Sequence, residues 1–161
     1  MIIYRINMNK YVPEQTLIEK CSYNKKTKET RVLKSRSFPG AYFYQTGKFD
    51  FKRTLNKNFF ESLAGKMPKL QKRPYYVQLS MSPFYKKIDG YCFEFCGRWY
   101  GIPKNRGKHI ALTDLETGCL FKMYKTFKDL ALNLKNVDEW ILEYGNIDEQ
   151  SKKFKKILEA A

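Results

Sequence analysis

Short strand-like runs, each closed by a turn former, recur along most of this chain, and that punctuation restricts the fold more than any other feature. Met1–Met8 alternates apolar and polar residues, as a half-buried strand does. Thr16–Tyr23 and Arg31–Phe38 flank the polar connection Asn24-Lys25-Lys26-Thr27-Lys28-Glu29-Thr30, the pattern of a hairpin with a long exposed tip. Pro39-Gly40 is a turn, and Ala41–Gln45 is a short strand ended by Thr46-Gly47. Further on come Tyr75–Met81, then Asp89-Gly90 before the strand Tyr91–Cys96. Gly97 separates that strand from Arg98–Ile102. His109–Thr113 and Cys119–Tyr124 flank Asp114-Leu115-Glu116-Thr117-Gly118, a turn closed by glycine. Helical spacing is confined to a few places. Phe51–Met67 puts Leu55, Phe59, Leu63 and Met67 on one face, with Pro68 just past the end. Thr126 suits an N-cap, with Asp129 three residues on, for a helix through Leu134. Val137–Tyr144 fits either a helix or a strand, and Asp148–Ala161 carries a helical apolar stripe. These elements predict one α+β domain over residues 1–161: an antiparallel β-sheet with two to four helices. Residues 1–50 are a candidate β-rich subdomain.

At 161 residues and 43% hydrophobic content, the chain can bury a substantial core. Its 12 Tyr, 12 Phe and 2 Trp leave rings over for a surface. The charge points to a partner. Lys and Arg number 31 against 16 Asp and Glu, a net +15. Beyond residue 135 the six carboxylates outnumber the four lysines, so that stretch nets −2 and the first 135 residues carry +17. A folded body this basic repels itself, and a polyanionic partner offsets the repulsion. The same charge excludes an acidic mimic of DNA. No apolar run reaches the ~18 residues that a membrane-crossing helix needs. Met1-Ile2-Ile3-Tyr4-Arg5 has neither the basic leader nor the cleavage site of a signal peptide, so a cytoplasmic location is expected. In that setting Cys21, Cys92, Cys96 and Cys119 are expected as reduced thiols.

The residues give little support to catalysis. General acid–base chemistry near neutral pH most often uses histidine, and His109 is the only one. It lies beside Lys108 in a basic loop. No phosphate-cradling glycine motif and no nucleophile elbow are present. Asp89 with Glu94, and Asp114 with Glu116, are the carboxylate pairs a metal-dependent nuclease would draw on. Such pairs beside turns are usually turn formers. Cys92 and Cys96 share a strand face without the tight turn of a zinc site. Neither catalytic residues, nor a metal, nor a cofactor is expected. Gly90-Tyr91-Cys92-Phe93-Glu94-Phe95 is similar to the aromatic strand of an RNA-recognition motif. Asp89 stands where that motif has a base, however, and Glu94 interrupts it, so Phe93 and Phe95 read as core.

Two constellations fit nucleic-acid binding. Arg98-Trp99-Tyr100-Gly101-Ile102-Pro103-Lys104-Asn105-Arg106-Gly107-Lys108-His109 interleaves basic groups with aromatics and glycines. Arg98, Lys104, Arg106, Lys108 and His109 would meet phosphates, and Trp99 or Tyr100 would stack on a base. The second is the hairpin Lys25, Lys26, Lys28 and Arg31, with Lys34 and Arg36 sharing one face of the following strand. Lysines guarding an exposed edge are the competing explanation for it.

Leu112-Thr113-Asp114-Leu115-Glu116-Thr117-Gly118, with Phe121 and Thr126-Phe127-Lys128-Asp129-Leu130, resembles a unit of small phage and mobile-element proteins. In that unit a D-x-E-T-G turn leads into a short capped helix. Size, charge and a bias toward Lys over Arg with many Asn, Ile, Tyr and Phe, the residue usage of an AT-rich genome, are similar to those of small phage proteins of Gram-positive hosts, a group that includes anti-CRISPR inhibitors. The resemblance implies a DNA-transaction protein or a host-defence inhibitor, and it transfers no functional residue. The expected function is non-enzymatic binding of RNA or DNA, or of a ribonucleoprotein, without a membrane partner. The alternatives are inhibition of a nucleic-acid-guided nuclease through its nucleic-acid surface or guide RNA, and a metal-dependent nuclease.

Overall fold

The computed structural model describes residues 1–7, 16–38, 55–78, 85–104 and 107–143, with 152, 155, 156 and 159 beyond them. Ten strands in three antiparallel sheets and two helices are found among them. The protein is therefore β-rich, which corrects the expected α+β balance. Strands dominate over helices, and the expected Phe51–Met67 helix contributes little. Of it only α1, Lys57–Ser62, is helical among the described residues. Asn56 caps α1 by accepting from Phe59 N–H at 3.0 Å. The chain leaves α1 after little more than one turn through Gly65, at φ 78°. Lys66 N–H reaches the Glu61 carbonyl and Gly65 N–H the Ser62 carbonyl, the paired bonds of a glycine-closed helix end. Ala41–Gln45 and most of the Asp148–Ala161 stripe lie outside the described residues. Within that stripe, Lys152, Lys155, Lys156 and Glu159 are helical and exposed.

The first sheet has the order β1 (Ile2–Asn7), β2 (Leu17–Tyr23), β3 (Thr30–Ser37). The second, five-stranded, uses β4 (Gln71–Lys72), β7 (Gly90–Phe95), β8 (Arg98–Pro103), β9 (Ile110–Asp114) and β10 (Leu120–Tyr124). Its spatial order is β10-β9-β8-β7-β4. A two-stranded ribbon, β5 (Tyr75–Gln78) with β6 (Tyr85–Ile88), completes the set. The region around Val137, open between helix and strand in the sequence, belongs to α2, Phe127–Glu143. Thr126 Oγ1 accepts from Asp129 N–H at 3.1 Å, so the expected N-cap forms.

One apolar cluster joins the two larger sheets. Leu130, Leu134 and Val137 of α2 belong to it with Phe93, Phe95, Tyr100, Ile102, Ile110 and Leu112 of the five-stranded sheet. Ile18 and Phe38 enter from the first sheet. Phe59 of α1 links the two sides: its ring lies 5.4 Å from Phe38 and 5.7 Å from Phe95. The ribbon covers the opposite face of the five-stranded sheet through Tyr75. A Cβ on Gly101 would lie 2.8 to 2.9 Å from three carbons of the Tyr75 ring, so the missing side chain is what lets that ring lie flat. Gly90 would likewise drive a Cβ into the Ile102 carbonyl. Burial pushes the Tyr75 phenol well above its ordinary value.

Candidate nucleic-acid interface

The β2–β3 hairpin is a built structure with an ordered tip. Asn24 Oδ1 accepts from the N–H groups of Lys26 at 3.0 Å and Thr27 at 3.3 Å. Lys28 N–H returns to the Asn24 carbonyl at 2.8 Å, and Asn24 N–H reaches the Glu29 carbonyl at 3.0 Å. This side-chain-closed turn explains why Asn stands at position 24. The fold requires φ 59° at Lys28, a left-handed conformation that glycine adopts more readily. Lys25, Lys26 and Lys28 are all exposed around this frame, with Glu29 as the one carboxylate within the tip.

Strand register sets what lies beneath the tip. Ile18 pairs with Arg36, Lys20 with Lys34, and after a bulge Ser22 with Arg31. On the other side of β2 the partners are Ile6, Tyr4 and Ile2. Cross-strand partners share a sheet face. That face is therefore divided along its length. The Ile6–Ile18–Arg36 row meets α1. There Arg36 Nη1 donates to the Phe60 carbonyl at 2.7 Å, and its guanidinium sits 4.2 Å from the Phe60 ring centroid. It also lies 3.8 Å from Glu61. Tyr4 packs on Phe60 at 5.4 Å; burial and the Glu61 charge raise its pKa against the opposing influence of Arg36. Farther along, Lys20 and Lys34 stand opposite each other, followed by Arg31 and the tip lysines. None of these forms an ion pair with a described carboxylate. Like charges directly opposite on a sheet are destabilising.

The second constellation separates into two parts. Arg98 is an internal cation. Its Nε donates to Asp114 Oδ1 at 2.8 Å and its Nη2 to Oδ2 at 2.7 Å, while Nη1 reaches Glu116 Oε2 at 2.9 Å. The Arg98 side chain is 9% exposed and that of Asp114 0%. Burial alone would lower the Arg98 pKa, but hydrogen bonding to Asp114 and the charges of Asp114 and Glu116 outweigh it and raise the value. Asp114 also accepts from Thr117 Oγ1 at 2.6 Å and Thr117 N–H at 3.2 Å, and Gly118 closes the turn at φ 70°. The D-x-E-T-G pattern thus has a structural use here: it shapes the β9–β10 turn and neutralises Arg98. Tyr100, expected to stack on a base, is fully buried with its ring 5.6 Å from Phe93. β8 runs between β7 and β9, so alternate side chains point into the core.

Lys104, Lys108 and His109 remain exposed, with Lys104 N–H donating to the Asp89 carbonyl at 2.9 Å. Arg106 lies outside the described residues. Trp99, on the face opposite Tyr100, carries the Arg73 guanidinium 4.9 Å from its ring centroid. The structure therefore gathers Lys25, Lys26, Lys28, Arg31 and Lys34 with Lys20 on one sheet, and leaves Lys104, Lys108 and His109 on another. Lys20 was missed because its role depends on pairing with Lys34, a register that a single strand does not reveal.

The four cysteines are free thiols, and Cys21, Cys92 and Cys96 are buried. Among the described residues no group of three or more His, Cys, Asp or Glu converges to hold a metal. No described helix is long and apolar enough to cross a membrane. A shallow depression of about 380 Å³ near the start of α1 is lined by Asn56, Lys57, Asn58, Glu94, Cys96 and Gly97, without a convergent charged set. Comparison with family models, curated proteins and solved structures found no match.

Proposed function

We propose that this chain is a non-enzymatic nucleic-acid-binding protein whose β2–β3 hairpin holds the sugar–phosphate backbone. One observation carries the reading: Lys20 and Lys34 face each other across the sheet, continuous with Arg31 and three tip lysines, without a described carboxylate partner. Each cation repels its neighbours, and phosphates placed along the row would reverse that repulsion. Flexible lysines suit backbone contact, which positions a nucleic acid without reading its sequence. The unfavourable left-handed Lys28 supports the same reading, since it keeps a cation where glycine would be easier to accommodate. The carboxylates Asp114 and Glu116 lend no support to a nuclease, because Arg98 occupies them.

The test is binding of the purified protein to labelled double-stranded DNA, single-stranded DNA and structured RNA at ~50 and ~200 mM salt without metal. The expected result is binding that weakens steeply with salt, since each neutralised phosphate releases counterions. Absence of binding to all three at the lower salt contradicts the proposal. It would instead direct the search to a protein partner, such as a nucleic-acid-guided effector.

A further inference from the structure

The β5–β6 ribbon presents a second surface that the hairpin does not explain. Its register pairs Tyr75 with Ile88, Tyr76 with Lys87, Val77 with Lys86 and Gln78 with Tyr85. Side chains alternate between faces along a strand. Tyr75 is buried against Gly101, so Tyr76, Tyr85 and Lys87 lie on the other face of the ribbon, whose Gln78 end meets the β9–β10 turn through Gly118 and Cys119. Tyr76 is 37% exposed and Tyr85 half-buried, and neither belongs to the apolar cluster. Their rings meet edge to face, with centroids 5.3 Å apart at 77°. In that arrangement one ring's edge meets one face of the other, and the remaining ring faces are not stacked on each other. Lys87, the exposed cross-strand partner of Tyr76, shares that face of the ribbon.

We infer that Tyr76 and Tyr85, with Lys87, form a stacking platform for unpaired bases, which makes single-stranded nucleic acid the preferred ligand class. The inference rests on the nucleic-acid reading above and adds strand preference to it. The chemistry is direct. A base in a duplex already stacks on both faces, whereas an unpaired base gains from an aromatic face and the neighbouring phosphate gains from a lysine. The net charge of +15 supplies the complementarity that brings the strand to the surface. Neither ring belongs to the central apolar cluster, so packing of that core does not account for their placement.

The test measures wild type, the double variant Tyr76→Ala/Tyr85→Ala, Tyr76→Phe/Tyr85→Phe, and Lys25→Ala/Lys26→Ala/Lys28→Ala. The ligands are oligothymidylate and a duplex of equal length. The double alanine variant is expected to lose about tenfold or more on oligothymidylate and to stay within about twofold on the duplex. The phenylalanine variant keeps the rings and should keep the affinity, which separates stacking from a folding defect. The hairpin variant should lose on both ligands. If the double alanine variant loses nothing on oligothymidylate, or loses equally on both ligands, the platform is overturned while the hairpin result still supports the nucleic-acid reading. A wild-type protein that binds neither ligand overturns the platform, and the nucleic-acid reading falls too if structured RNA is also not bound.

Discussion

Residues 25–36 and 98–109 look alike as sequence: basic side chains spaced along a predicted strand and an adjoining loop. The structure treats them in opposite ways. β8 is an interior strand, so Arg98 and Tyr100 point inward, and pairing with β9 brings Asp114 to Arg98. Among the described residues β3 is an edge strand, and only its Arg36 end is covered, by α1. The difference lies in strand position and in whether a carboxylate arrives from elsewhere in the chain. A buried cation needs a partner, and an exposed one remains available to a ligand.

The largest expected effect breaks this comparison on the structural side. Asp114→Ala leaves Arg98 buried without its main partner and removes the acceptor of the β9–β10 turn. It should destabilise the protein by about 3–5 kcal/mol, read from the denaturant midpoint. A loss below about 1 kcal/mol would mean that Arg98 can swing out to solvent, and would return it to the candidate interface. Gly101→Ala should cost about 1–3 kcal/mol, because its Cβ meets the buried Tyr75 ring and neither β8 nor the ribbon can yield freely. A neutral result would show that the ribbon does not sit tightly on the sheet.

The buried side of the comparison should also respond to alkali, through Tyr75. Folding raises the Tyr75 pKa above its ordinary 10.0. Its contribution is therefore fully present below about 10 and is lost as pH rises through the folded value. Stability should fall from about pH 10 upward, with phenolate absorbance appearing together with unfolding, and Tyr75→Phe should flatten the dependence. The smallest effect sharpens the hairpin side. Lys34→Gln removes the repulsion with Lys20 and should raise stability by about 0.2–1 kcal/mol while weakening polyanion binding. A loss of stability instead would argue that Lys34 serves the fold.

Local chemistry was legible in the sequence where it was complete within a few residues. Asn24 and Gly118 marked their turns, Thr126 marked the start of α2, and Leu17–Tyr23 and Thr30–Ser37 fall within a residue of the expected hairpin strands. The length of α1 was not legible from the apolar spacing of Phe51–Met67, since the stripe continues past the point where Gly65 turns the chain. Arg98 and Tyr100 were misread because a basic-aromatic pattern does not show that a strand is interior, nor that Asp114 lies 16 residues away in the right register. Lys20, Tyr76 and Tyr85 acquire meaning only from pairing and from which face of a sheet is covered.

The central claim is that the hairpin cations, rather than the Arg98 strand, hold the polyanion. It is tested most directly by the salt dependence of duplex DNA binding, compared between wild type and Lys25→Ala/Lys26→Ala/Lys28→Ala. Each lost phosphate contact should reduce the slope of log affinity against log salt by about 0.9, so a drop of roughly 2 to 3 is predicted with an unchanged thermal midpoint. An unchanged slope in a folded variant would contradict the account and place the interface elsewhere on the protein.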